Sequence, residues 1–171
     1  VECLLYPLWD VGLSVGHQVM DGPEAVELAQ SDLATATSLL DLRLLAGDEG
    51  LLRELSERAW SGIFSEGELG RFIERLEEEV SGRHARFGAS VYLLEPDVKS
   101  GAGGLRDLDV ARWAARARYR VGESENVWAE LVRLGVLVAR EAQEIEAAEE
   151  FLWRVRNRLH AHAGRRSDRL T

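Results

Sequence analysis

From Ser31 to His162 apolar residues recur three and four places apart, the spacing of a helix that buries one stripe. The longest break in that period is Glu95 to Asp109, EPDVKSGAGGLRDLD. Pro96 biases Glu95 away from helical geometry, and Gly101, Gly103 and Gly104 follow. Whatever the chain folds into must therefore be a helical assembly that accommodates this loop. The loop is also chemically distinctive. Lys99 is the only lysine, and the other 20 basic residues are arginine. One lysine in a glycine-rich turn that opens a helix can present amides and a cation to phosphate. Equally, the glycines can serve only a tight helix–helix connection. Asp97, Asp107 and Asp109 crowd the same stretch. They either hold Mg²⁺ through waters or cap the helix start and pair with arginine, as Asp107 can with Arg106 or Arg112.

The predicted elements follow in order. Val1 to Trp9 is apolar, and Pro7 opposes a long regular helix there. Leu13, Val15, His17 and Val19 alternate, which predicts a strand over Gly12 to Met20. Asp21 and Gly22 signal a turn, Pro23 suits a first helical turn, and Glu24 to Gln30 continues it. Ser31 is the expected cap of a helix running to Gly47. Asp48 restarts a helix through Trp60. Ser65, with Glu68 three places on, predicts a capping box. Leu69, Phe72, Ile73, Leu76 and Val80 form the next stripe, which Ser81 to Phe87 can prolong. Ser90 to Leu94 reads as extended. Helices are then expected from Leu105 to Gly122, from Glu125 to Leu134 and from Val136 to His162, the last with Ile145, Ala148, Leu152, Val155 and Leu159 as its stripe.

The fold class is thus mainly α: a helical bundle with a short β remnant at the N-terminus. A lone strand leaves its amides and carbonyls unpaired, so it is expected to belong to a sheet whose other strands precede Val1. The division is residues 1–22 as the edge of one domain and 23–171 as the bundle.

Charge and composition exclude several functions. A net charge of −9 and a pI near 5.0 argue against DNA or RNA as partner, which need a basic face. One cysteine, Cys3, cannot form an intrachain disulfide or a zinc-finger ligand set, and it suits a reducing, cytoplasmic setting. No apolar run is long enough for a membrane span. His160 and His162 are too close along a helix to share a face. No nucleophile elbow occurs, and His17 beside Gly16 reads as structural. Arg154, Arg156, Arg158, Arg165, Arg166 and Arg169 cluster at the end. They either bind a phosphate-bearing or acidic partner or pair with Glu141, Glu144, Glu146, Glu149 and Glu150. The tryptophans lie in or beside apolar stripes and read as core.

Four stretches taken together resemble a known family: LWDVGLSVGHQV, SDLATATSLLDLRLLAGD, YLLEPDVKSGAGGLRDLDVARW and LWRVRNRLHAHAGRRSDRL. In this order they are similar to the bifunctional uridylyltransferase/uridylyl-removing enzymes of bacterial nitrogen signalling. A weaker resemblance, through the helix-end LAGD and the loop KSGAGGLRD, is to glutamine synthetase adenylyltransferase. The resemblance implies a nucleotidyltransferase domain, a helical domain, a phosphohydrolase domain and sensing domains. This chain would supply the end of the first and most of the second. It implies UTP and the signalling protein PII as substrates, and Mg²⁺ as cofactor.

The family's D-x-D strand that holds two Mg²⁺ ions is not matched here. Asp107-Leu108-Asp109 has the letters but opens a predicted helix. No His-Asp dipeptide of the phosphohydrolase occurs either. The expectation is a fragment with no catalytic residue and no metal ligand of its own. By the resemblance, Lys99, Gly103, Gly104 and Arg106 are the substrate-binding candidates, or they fix the loop against the transferase domain. A stand-alone helical protein-binding module is the alternative.

Overall fold

The computed structural model describes residues 2–88, 90, 92–122 and 126–171. Among them are eight helices: α1 Glu2–Asp10, α2 Gly22–Ser31, α3 Leu33–Leu40, α4 Glu49–Gly62, α5 Glu66–Phe87, α6 Leu105–Tyr119, α7 Val127–Arg133 and α8 Ala139–Ala163. The mainly-α expectation holds. Val1, at the start of the expected first domain, and Glu125, at the start of the expected seventh helix, lie outside the described residues.

Capping chemistry sets most boundaries. Asp21 accepts the Glu24 amide at 2.9 Å while Glu24 accepts the Asp21 amide at 3.1 Å, a reciprocal box that starts α2. Asp32, and not Ser31, caps α3. Its carboxylate takes both the Thr35 amide (2.7 Å) and the Thr35 hydroxyl (2.6 Å), whereas Ser31 finishes α2 by donating to the Leu28 carbonyl. The helix expected to restart at Asp48 is α4, with the Asp48 carboxylate capping it by accepting the Gly50 amide. Ser65 occupies the cap position of α5, but the predicted box does not close: Glu68 pairs with Arg71 at 2.9 Å instead.

Two further differences have clear causes. α3 stops at Leu40 rather than Gly47 because Asp41 is taken by α6, accepting from the Arg116 guanidinium and, at 3.1 Å, from the Trp113 indole. α6 ends before Gly122, with Arg120 itself in the left-handed region at φ 55°. The Arg120 guanidinium lies 5.4 Å from the Trp60 ring, a contact that offsets the strain.

The expected β remnant is not formed. Residues Gly12 to Met20 carry no strand pairing, and Leu13 and Val19 are exposed. An isolated strand has no neighbour to take its amides and carbonyls, so only local bonds form, such as Leu13 N–H to Leu8 C=O at 3.0 Å. Upstream, α1 spans Pro7 despite the missing amide, a cost tolerated in a helix this short and exposed. Nor do the described residues of the 90–94 stretch form a strand; Val91 lies outside them.

The interior has two centres. The first gathers Ala29, Ala36, Leu40, Ala59, Ile63, Phe64, Phe72, Leu76 and Ala117 from α2 to α6. Phe64 stands edge-on to Phe72, with ring centres 5.1 Å apart. The second gathers Ala115, Val121, Val127, Trp128, Leu131 and Ala142 from α6 to α8. α6 belongs to both. Ala115, Arg116 and Ala117 are buried in succession, so this helix is enclosed on several sides and has no single apolar stripe. It begins where the glycine loop ends, which ties the loop to both centres.

Phe72 is 1% exposed at the heart of the first centre. Phe72→Ala is expected to cost about 3–5 kcal/mol of unfolding free energy. Urea unfolding followed by circular dichroism checks this, and a loss below about 1 kcal/mol contradicts the packing described.

Candidate functional site

The loop between α5 and α6 is held from three sides. On the α5 side, Arg83 is 3% exposed and reaches three acceptors. Its Nε donates to Glu79 at 3.0 Å, its Nη1 to the Ser100 carbonyl at 3.1 Å, and its Nη2 lies 2.8 Å from Asp107 Oδ1. His84 Nε2 sits 2.9 Å from the same carboxylate. On the α6 side, Asp107 Oδ2 accepts the Gly103 amide at 2.7 Å.

From the third side comes the C-terminal tail. After Gly164 closes α8 in the left-handed conformation, the chain turns back along the loop. Val98 N–H donates to the Asp168 carbonyl (2.8 Å) and Leu170 N–H to the Pro96 carbonyl (3.0 Å), an antiparallel bridge centred on Asp97 and Arg169. The Asp168 carboxylate is gripped by Arg156 Nε at 2.7 Å and His160 Nε2 at 2.9 Å. Two Arg–Asp–His groups therefore flank the loop, Arg83–Asp107–His84 and Arg156–Asp168–His160.

Inside this frame the amides are all engaged. Lys99 and Ser100 N–H donate to Asp97 Oδ1 at 3.0 and 2.6 Å. Gly101 bonds to the Asp97 carbonyl, Ala102 to Gly88, Gly104 to Gly101, Leu105 to Val98, Arg106 to Lys99 and Asp107 to Gly104. With Val98 on Asp168 and Gly103 on Asp107, every amide from Val98 to Asp107 has an internal acceptor. An N–H cradle for phosphate needs amides aimed outward. This loop spends its amides on its own shape.

Two glycines make that shape possible. Gly103 has φ +77°, a conformation that side chains disfavour. A Cβ on Gly104 would stand 2.9 Å from the carbonyl oxygens of both Gly101 and Lys99, which are backbone atoms that cannot swing aside.

Of the predicted site residues, Gly103 and Gly104 thus sit inside the turn. Lys99 and Arg106 carry the side chains. Lys99 is partly buried, and its charge helps hold the Asp168 carboxyl in its ionised form. Arg106 leans over the Trp113 ring at 5.6 Å and pairs with Asp109 at 3.2 Å. The structure does not gather all four around one cavity.

The acidic trio is divided among separate tasks: Asp97 turns the loop, Asp107 joins α5 to the loop, and Asp109 lies between Arg106 and Arg112. The predicted partners of Asp107, Arg106 and Arg112, belong to Asp109 instead. No cluster of three metal-ligating side chains occurs among the described residues.

The terminal arginines divide too. Arg154 sits 3.7 Å from Glu150 as the pairing alternative expects, while Arg156 takes Asp168 and Arg169 takes Glu95 at 3.2 Å. Glu149 pairs across helices with Arg112 at 2.7 Å. The roles of Arg83, His84, Arg156 and His160 were missed. A signal was present: Arg83 and His84 continue the α5 stripe beyond Leu76 and Val80, where polar residues on an apolar face call for buried partners.

The electrostatics follow from these contacts. Burial alone pushes the Asp107 carboxyl up, but the Gly103 amide, Arg83 and His84 outweigh it and hold it below the usual carboxylate range. Asp168 is likewise raised by burial and lowered further by Arg156, His160 and the charge of Lys99. Asp109 goes the other way: burial dominates and lifts it despite Arg106 and Arg112.

A depressed carboxyl contributes stability that is fully present above its unfolded value and is lost as pH falls through its folded one. Asp107 and Asp168 therefore stabilise at neutral pH and release the loop in acid, below about pH 4. Replacing both by Asn is expected to flatten the fall of stability between about pH 5 and pH 2. Urea titrations at stepped pH check this, and an unchanged slope counts against the two groups.

Gly104→Ala supplies a test of the turn. It is expected to cost about 1–3 kcal/mol through forced backbone movement. Gly67→Ala, within α5 and open to solvent, is expected to be neutral or stabilising. Equal melting temperatures for the two variants would contradict the close approach at Gly104.

Comparison with known proteins gives a consistent result. The family model described as GlnD PII-uridylyltransferase matches residues 71–171. The bifunctional uridylyltransferase/uridylyl-removing enzyme of Rhodospirillum rubrum is 43% identical over 171 residues, 100% of this chain and 18% of that protein. Its counterpart in Novosphingobium aromaticivorans is 42% identical with the same coverage, and that of a Bradyrhizobium species (strain BTAi1) is 42% identical over 170 residues. The chain spans about 18% of the length of these relatives. No solved structure matches.

Proposed function

We infer the role of this chain from one premise: it belongs to the GlnD PII-uridylyltransferase family, to which the bifunctional uridylyltransferase/uridylyl-removing enzymes are its relatives. We propose that it is the helical part of such an enzyme, supporting transfer of a uridylyl group from UTP to the regulatory protein PII. The carrying observation is the 43% identity that runs through the whole chain, loop and tail included. Residues 1–22 are then the edge of the transferase domain and 23–171 the helical domain. The exposed, unpaired stretch Gly12 to Met20 supports this division, since it has the alternation of a strand without a sheet.

In this reading the loop is a rigid mount. Its amides and its two Arg–Asp–His groups fix its backbone, so that Lys99 and Arg106 are held at set positions with little freedom to lose on binding. Lys99 supplies a point charge suited to phosphate, and Arg106 a planar fork. Gly103 and Gly104 contribute to substrate binding through the turn that carries these side chains. Mg²⁺, when bound, would balance the triphosphate charge and polarise the transferred phosphorus. The loop's three carboxylates do not fit that task, since each is occupied by amides or guanidinium groups. Ligands elsewhere in the longer protein are the consistent source. A cytoplasmic location follows from the same reading; no described helix is long and apolar enough to cross a membrane.

The alternatives rank lower for specific reasons. The matched relatives carry the uridylyltransferase name across the whole chain, which favours that reading over an adenylyltransferase. A stand-alone binding module is separated by activity. In the full-length protein, Lys99→Ala is expected to raise KM for UTP about tenfold, equivalent to about 1.4 kcal/mol, with PII labelling as the readout. An unchanged KM rejects Lys99 as a phosphate contact. The isolated chain is expected to label no PII from UTP, and clear labelling would overturn the fragment reading.

A further inference from the structure

α8 is the longest helix, yet Ala142 is its only buried residue. Its inner face, with Ile145, Glu149, Leu152, Arg156 and Leu159, lies partly buried against the body of the molecule. The opposite ridge, Arg140, Glu144, Ala147, Phe151, Arg154 and Arg158, is exposed along its whole length. Ala148, expected in the apolar stripe, is exposed beside this ridge as well. A single exposed aromatic is ordinary. Here three further features coincide with it.

Phe151 is 65% exposed and stands at the midpoint of Ala139–Ala163. Ala147 and Ala148, one turn before it, leave the ridge low enough to receive a bulky side chain. The charge is also divided at Phe151. The half before it holds Glu141, Glu144, Glu146, Glu149 and Glu150 against Arg140 alone; the half after it holds Arg154, Arg156 and Arg158 and no acid.

We propose that this ridge is a self-association surface, on which a second copy of the chain docks its own α8 antiparallel about a two-fold axis at Phe151. A two-fold contact must be self-complementary, and this one is. Each residue before Phe151 meets the residue equally far after it on the other copy. Glu144 therefore faces Arg158 of the partner subunit, twice by symmetry. Ala148 faces Arg154 of the partner subunit, leaving room for the aliphatic stem of that arginine over the two phenylalanines. Arg140 comes opposite His162 of the partner subunit, the one polar pair in the register that adds no attraction. Antiparallel alignment also opposes the two helix dipoles favourably. The intrahelical pairs that must open, Arg140–Glu144 and Glu150–Arg154, are highly exposed and so cost little to exchange. All six ridge residues are open to solvent in the described chain. This inference does not rest on the proposed transferase role.

Sedimentation equilibrium of the 171-residue chain tests it, with circular dichroism confirming that each surface variant is folded. The wild-type chain is expected to dimerise at concentrations up to about 0.5 mM, within the range of weak, small interfaces. Phe151→Glu is expected to be monomeric. Glu144→Arg and Arg158→Glu are each expected to weaken the dimer at least about tenfold, because like charges then meet twice. Mixed one to one, these two variants are expected to recover the dimer as a heterodimer, since every Arg again faces a Glu. A monomeric wild type at about 0.5 mM overturns the proposal. So does a Phe151→Glu dimer, or a mixture no tighter than its separate components.

Discussion

Arg83 and Asp107 are the contact on which the arrangement of the loop depends. A guanidinium buried to this degree is costly unless its donors are met, and one removed partner leaves an uncompensated charge worth about 3–5 kcal/mol. The carboxylate of Asp107 compensates its charge as an ion pair 2.8 Å from Nη2, while also taking the Gly103 amide and lying beside His84. Glu79 and the Ser100 carbonyl complete the set. Burial pulls the Arg83 guanidinium toward losing its proton, and Glu79 and Asp107 more than reverse that. The last turns of α5, the glycine turn and the first turn of α6 are thereby one unit. None of the three can shift alone without disturbing one of these charged contacts.

This explains why a loop rich in glycine need not be a mobile loop. Glycine adds conformational freedom to the unfolded chain, which folding must then remove. That cost is offset here by an amide bond at every residue from Val98 to Asp107, to a backbone carbonyl or to Asp97 or Asp107, and by the tail that adds Asp168 and Leu170 from the far end of the chain. The tail bond joins Val98 to Asp168, so the loop's full set of bonds also depends on where α8 delivers the tail. The resulting order of dependence runs from the two apolar centres to α6 and α8, then to the loop. Side chains placed on such a mount inherit its rigidity.

Helix content was readable because it rests on local period and on caps. Asp48, Asp21 and the stripes of α4 and α5 are properties of a few adjacent residues. Some misses were local, as where Asp32 rather than Ser31 took the Thr35 amide, but the larger ones depended on distant partners or on their absence. Asp41 ends α3 because Trp113 and Arg116 arrive from α6, and nothing near Asp41 announces that. The strand over Gly12 to Met20 has the right alternation and no neighbour. At the loop, the glycines and Lys99 were conspicuous, but the direction of their amides was not. Asp97 and Asp107 decide that direction by drawing the amides inward, and either carboxylate could equally have faced a metal on sequence alone. Polar residues at apolar stripe positions, Arg83 and His84, were the legible trace of the arrangement.

The near-exclusive use of arginine is consistent with the same physics. Arg83 reaches three acceptors at once, Arg112 grips both oxygens of Glu149 while lying 5.5 Å from the Trp128 ring, and Arg116 joins α6 to the end of α3. These tasks need a planar fork that can pair and stack together, which an ammonium cannot do. Lysine is a compact charge on a flexible stem, poorly suited to bridging helices and well suited to meeting a mobile anion. Its single occurrence is in the loop, near the carboxylate that Arg156 and His160 already hold. With those two neighbours satisfying Asp168, Lys99 is not required to hold the tail in place. A fold that builds its bridges from arginine leaves its one lysine on a loop whose shape arginine, carboxylate and amide contacts already hold.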